Sequence, residues 1–133
     1  MTEPEPRMLL ARRVGDVTGP EMQWFLDYIR VAMERAEEPI ALLWDAGVNP
    51  KGRPDADARK RAGDFLRDQA GLFRSKATGM DFVFRNRVSR GILTAILWMA
   101  PPPIICRVHA SLDAATQAAR RRLENAGLDA RSG

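Results

Sequence analysis

Residues 38–47 read Glu38-Pro39-Ile40-Ala41-Leu42-Leu43-Trp44-Asp45-Ala46-Gly47, and the apolar run Ile40–Trp44 within them decides the fold. The run has strand length and no alternation of apolar and polar side chains, the pattern of a central strand covered on both faces. Asp45 closes it. A sheet buried on both sides needs helices against it, so the flanking sequence must supply them.

Upstream, Thr18-Gly19-Pro20-Glu21 offers a threonine cap, a proline in the first turn and a glutamate three residues on, which together satisfy the free amides of a helix start. Met22, Phe25, Leu26, Ile29 and Met33 follow at helical spacing, and Glu37-Glu38-Pro39 ends the helix. Before it, Met8–Val14 reads as a first strand closed by Gly15-Asp16, with freedom to pair antiparallel at an edge. Residues 1–6 read as a disordered acidic leader.

Downstream, residues 46–54 are dense in turn formers, and Asp55 or Asp57 can cap a second helix. That helix carries Ala58, Ala62, Phe65, Leu66, Gln69, Leu72 and Phe73 on one face and stops near Thr78-Gly79. Met80–Phe84 is a third strand, Asn86 a cap, and Val88–Met99 a helix apolar almost all round. Pro102–Val108 is a fourth strand, with its prolines at the entry. Ser111-Leu112-Asp113 caps a last helix along Leu112, Ala115, Ala119, Leu123 and Ala126, with Gly127 placed to end it. Arg120, Arg121 and Arg122 lie near that helix's negative end. The expected fold is α/β, order β-α-β-α-β-α-β-α: a four- to five-stranded, mainly parallel (mixed) sheet flanked by four helices. One domain spans 7–127, and 128–133 is a loose tail.

The 133 residues suit one domain, with 45% hydrophobic and 29% charged side chains. A net charge of +4 is too mild to point to nucleic acid. The single cysteine, Cys106, excludes an intrachain disulfide framework and suits a reducing cytoplasm. The acidic start has no secretory signal, and the apolar stretch from Gly91 is interrupted by Pro101-Pro102-Pro103, short of the roughly 20 residues of a membrane span. Neither glycine-rich phosphate loop is present, nor is a G-x-S-x-G elbow. No catalytic residue, cofactor or metal site is expected. Asp45, Asn49, Asp55 and Asp57 have the chemistry of a cation site, but capping and turn bonding explain them more simply. His109 ends the fourth strand, where α/β proteins place their sites, yet lacks an evident partner nearby in sequence; a structural role is the simpler reading. Cys106, embedded in an apolar strand, is expected to keep a high pKa.

Charge is unevenly spread. From Lys51 to Arg90 there are 11 basic and 5 acidic residues, net +6, against 10 and 12, net −2, elsewhere. Lys51, Arg53, Arg59, Lys60 and Arg61 follow the second strand, and Arg85, Arg87 and Arg90 the third. Parallel strands bring both loops to one end of the sheet, where a patch would attract an anionic ligand or an acidic surface. Solvated charge interleaved with Asp55, Asp57, Asp64 and Asp68 is the simpler account. The helix carrying Ile92, Leu93, Ile96, Leu97, Trp98 and Met99 exceeds one apolar stripe, which fits either core burial or a face for a second subunit, a partner or a lipid.

Gly15-Asp16-Val17-Thr18, the first helix, Ile40–Asp45, Phe82–Phe84 and Val108–Ala115 with its arginine-rich helix together resemble STAS-type domains, the anti-sigma-factor-antagonist-like bacterial modules, and their relatives near lipid-transfer CRAL-TRIO domains. The resemblance covers about residues 7 to 126. It implies a small β-α sandwich that binds proteins, and in some relatives small ligands or lipids, without chemistry of its own. Regulatory members carry a phosphorylated Ser or Thr in the turn after the strand matching Ile40–Trp44. Here that turn reads Asp45-Ala46-Gly47-Val48-Asn49-Pro50-Lys51, and no Ser or Thr occurs between Thr18 and Ser75, so the phosphorylation switch is not carried over. The expected function is a cytoplasmic, non-enzymatic interaction or regulatory module with a protein partner and room for a homodimer. Its contact surface would comprise Asp45, Asn49, Lys51, Arg53, Arg59, Arg61, Arg85, Arg87, Arg90, Ile92, Ile96 and Trp98. The alternative is a binder of a small anionic or lipid ligand, using the basic loops and a cavity beneath helix 87–99.

Overall fold

The computed structural model describes residues 2–5, 7–12, 16–47, 55–99 and 102–132. In chain order these form β1 (Thr2–Glu5), β2 (Met8–Arg12), α1 (Gly19–Arg35), β3 (Ile40–Asp45), α2 (Ala56–Asp68), α3 (Ala70–Lys76), β4 (Ala77–Val83), α4 (Arg87–Met99), β5 (Cys106–His109) and α5 (Leu112–Ser132). The sheet runs β1-β2-β3-β4-β5 in sequence order. β2 through β5 are parallel, and β1 pairs antiparallel with β2.

Successive side chains of a strand point to opposite faces, and β3 shows both faces covered. Ile40 and Leu42 pack with Ile29, Met33 and Phe73 of α1 and α3. Ala41 and Leu43 pack with Met8, Leu10, Val83, Ala115 and Ala119, on the α5 side. Parallel strands laid side by side in chain order keep one crossover hand only if their connecting helices share a face. α1 and α3 accordingly cover one face, with α2 leaning on α1 through Met22, Leu26 and Ala58. α5 follows the last strand, has no crossover to make, and closes the other face.

The local signals behave as chemistry requires. Thr18 Oγ1 accepts from the Glu21 amide at 3.4 Å and donates to Glu21 Oε1 at 2.9 Å, a reciprocal cap on α1. Asp55 accepts from the Ala58 amide at 2.7 Å, and Asn86 accepts from Val88 at 2.8 Å. Several boundaries differ from the expectation. Residues 2–5, read as leader, form the antiparallel edge strand, so Met8–Arg12 is interior and parallel. The helix expected from Asp55 to Thr78 breaks at Gln69 into α2 and α3. Phe65 and Phe73 would sit about 80° apart on a straight helix; the break lets them meet edge to face with centroids 5.5 Å apart. β4 begins three residues early, at Ala77, and β5 keeps only Cys106–His109, leaving Pro102 and Pro103 before it. α5 continues through Gly127 to Ser132 where a stop and a loose tail were expected; one glycine costs a helix only about 1 kcal/mol and no proline follows. No helix among the described residues is long and apolar enough to cross a membrane.

Candidate functional site

Register places four side chains in one row at the C-terminal edge of the sheet: Arg12 beside Asp45, Asp45 beside Val83, and Val83 beside His109. Asp45 was expected on the contact surface. It is instead 1% exposed, because the row lies on the face that α5 covers. Its carboxylate accepts from Arg85 Nη1 at 2.6 Å and from the Gly47 amide at 2.8 Å, with Arg12 Nε at 3.4 Å. Burial pushes the Asp45 pKa up, but the Arg85 and Gly47 hydrogen bonds and the charges of Arg85 and Arg12 outweigh it, so the group lies below the ordinary carboxylate value. The pairing ties the loops after β3 and β4 together and spends the charge of Arg85 internally.

Two residues deeper along the strand and on the same face, Asp81 of β4 is 0% exposed. A bare carboxylate there would be prohibitively costly, and two partners make it tolerable. His109 Nε2 lies 2.7 Å from Asp81 Oδ1, and Arg122 Nη2 of α5 binds Oδ2. Arg122 reaches the sheet across Gly79: a Cβ at that position would stand 2.7 Å from Arg122 Nε. Burial, then the charge of Arg107, holds His109 below the usual imidazole value. The neutral ring donates its Nε2 proton to Asp81, while Arg122 neutralises the charge; a second cation in this buried place would be unbalanced. Arg122 Nε, buried as well, has no hydrogen-bond partner.

This Asp81–His109–Arg122 cluster was not foreseen. Its signals were an aspartate amid Met80-Asp81-Phe82-Val83 and an arginine three residues past Ala119 on the buried stripe of α5. His109, thought to lack a partner, finds one 28 residues away. No nucleophile is among its hydrogen-bond partners, and Ser111 Oγ is engaged capping α5 by accepting from the Ala114 amide. The arrangement fixes β4, β5 and α5 together.

The remaining expected surface residues disperse. Asn49, Lys51 and Arg53 lie outside the described residues, as does the Ile96 side chain. Arg59 is exposed on α2, and Arg61 pairs with Asp57 at 3.1 Å. Arg90 donates to the Phe84 and Arg85 carbonyls at 2.9 and 3.0 Å, while Arg87 is exposed. Much of the supposed basic patch is therefore internally satisfied. Among the described residues no His, Cys, Asp and Glu group could hold a metal. The Cys106 thiol is half-buried and its pKa is pushed up to about 11 by burial.

α4 presents its outer side to solvent: Val88, Ile92 and Trp98 are exposed, Trp98 at 84%. Trp98 and Ile105 line a cleft of about 600 Å³ between α4 and β5. A separate cavity of about 200 Å³ lies between the sheet and helices α1–α3, and the described residues that line it are aliphatic or aromatic. Among the described residues none of α4 lines it, so this apolar space is on a different part of the fold from the one the ligand-binding alternative required. Comparison with family models, curated proteins and solved structures finds no match to this chain.

Proposed function

We propose that this chain is a non-enzymatic, STAS-like interaction module that works in the cytoplasm, with the outer face of α4 as its contact surface for a protein partner. The observation that carries the reading is the uncharged run Gly91–Met99 on a helix whose Val88, Ile92 and Trp98 stand in solvent. Large apolar side chains left out of a core mark contact sites when they cluster, and tryptophan is the residue most enriched at interface hot spots. Gly91 and Ala95 between them leave room for close approach. Exposed Arg87 at the start of the same helix selects a partner whose apolar surface has an acidic margin. The layered α/β fold supports the likeness to STAS-type modules, and the altered turn after β3 argues against phosphorylation there.

Photo-crosslinking in cells of the source organism tests this, with benzophenone side chains at positions 92 and 98 and, as control, at exposed Tyr28 of α1. The expected result is one protein adduct shared by 92 and 98, absent at 28 and lost in Arg87→Glu, whose linked peptide is apolar with Asp or Glu beside it. Adducts equally abundant at 28, or adducts only to a second copy of this chain, would overturn it.

A further inference from the structure

We infer that the apolar cavity between the sheet and helices α1–α3 is a binding site for a small uncharged aromatic molecule of one or two rings. Protein interiors are packed as densely as organic crystals, and voids beyond the size of a water molecule are few. The space here, open to solvent on one side, measures about 200 Å³, against the roughly 150 Å³ of a closed engineered apolar cavity that takes up benzene. Ala11 and Ala62 leave the space open where larger side chains would close it.

The chemistry of the wall selects the ligand. Phe25, Trp44, Phe65, Phe73 and Phe82 all line the cavity, a concentration of rings in one place. Phe25 meets Trp44 edge to face at 5.0 Å, and Phe65 meets Phe73 likewise at 5.5 Å, so ring faces and ring edges are both presented. A planar aromatic guest pairs with such surfaces in offset or T-shaped contact. Among the described residues no charged side chain lines the space, and the Trp44 indole is the one hydrogen-bonding side chain there. A carboxylate or phosphate head group would lose its hydration there without replacement, which disfavours fatty acids and phospholipids. The ion-paired clusters of Asp45 and Asp81 lie on the opposite face of the sheet, and the α4 surface is separate, so this site stands independently of the partner-binding reading.

Titration of the full chain with toluene, indole and naphthalene, with octanoate as the charged comparison, tests the site through backbone amide shifts. The expected result is saturable binding of the uncharged rings with shifts centred on Leu42, Phe73 and Phe82, at least tenfold tighter than octanoate. Ala62→Phe should weaken it at least tenfold by filling the space, and Ile92→Asp on α4 should leave it unchanged. Absence of saturable shifts for every uncharged ring, octanoate binding as tightly as toluene, or wild-type affinity in Ala62→Phe would each overturn the inference. Should Ala62→Phe not fold, Ala11→Leu serves the same purpose.

Discussion

Replacing Arg122 with methionine keeps most of the side chain's volume and removes the cation that neutralises Asp81. With Asp81 fully buried and His109 its one other side-chain partner, the charge must be balanced by proton uptake or left exposed to a low dielectric. An imidazole is by nature the more basic of the two, with an ordinary pKa of about 6.5 against about 3.9 for a carboxyl, and loss of the Arg122 cation leaves the Asp81 carboxylate to attract the proton to His109. The imidazole therefore takes the proton, and His109 switches from a pKa held below 6.5 to one above it. The sign of the pH dependence inverts with it. In the wild type the unfolded chain binds the His109 proton more readily, so stability falls as pH drops from about 6.5 towards the lowered folded value. In Arg122→Met the folded chain binds it more readily, so stability is retained at low pH and lost as pH rises through the raised folded value, by about 1.4 kcal/mol per pH unit. The variant should thus be damaged more at pH 8.5 than at pH 7, by at most about 2 kcal/mol. Arg122→Met with His109→Gln has no such response and should lose about 3–5 kcal/mol, the usual cost of a stranded buried charge. Urea unfolding at pH 6, 7 and 8.5 gives the stabilities, and since the chain has a single histidine, proton NMR reads the His109 pKa without assignment. An unchanged His109 pKa in Arg122→Met, or a loss below about 1 kcal/mol for the double variant, would refute the reasoning.

Gly79→Ala places a Cβ 3.0 Å from the Ile105 carbonyl as well as against Arg122, and the backbone atom cannot give way. It should cost about 1–3 kcal/mol in urea unfolding and raise the His109 pKa by loosening Arg122. Asp45→Asn should abolish the part of the acid unfolding curve below pH 3.8, since a carboxyl with a lowered folded pKa contributes stability that disappears as pH falls through that value; guanidinium-free acid titration followed by circular dichroism measures it. Cys106, with its pKa at about 11, should resist iodoacetamide at pH 8 in the folded protein and react at once in 6 M guanidinium, as mass spectrometry would show.

The sheet was legible because its central strand leaves one interpretation: five consecutive apolar residues cannot sit on a surface, and capped amphipathic helices stand on either side of them. Caps at Thr18, Asp55 and Asn86 were equally readable, since each depends on atoms three residues away. β1 escaped notice because an edge strand of Thr-Glu-Pro-Glu composition has no apolar alternation, and its pairing with Leu10 and Met8 comes from the turn that folds it back. The break at Gln69 likewise follows from tertiary packing of Phe65 on Phe73. Pairing across 28 or 41 residues, as in Asp81 with His109 and Arg122, leaves only an indirect trace in one chain: a charged residue on an inward position.

That indirect trace changes what the basic residues mean. Counting charge along the chain treats every arginine as available to a ligand, and the loops after β3 and β4 then look like an anion site. In the folded protein Arg85 and Arg12 answer Asp45, Arg122 answers Asp81, Arg61 answers Asp57 and Arg90 answers backbone carbonyls. Except for Arg61, whose pair lies within α2, these guanidinium groups brace the C-terminal edge of the sheet and its α5 face, so the net +4 is a poor guide to attraction at that edge. Among the described residues the same fold also offers apolar surface: the Val88, Ile92 and Trp98 side chains on α4, and the ring-lined cavity under α1–α3. Binding by either should therefore carry the negative heat-capacity change that apolar burial produces; binding in the cavity should weaken little with added salt, whereas binding at α4 should lose with salt only the share that Arg87 contributes.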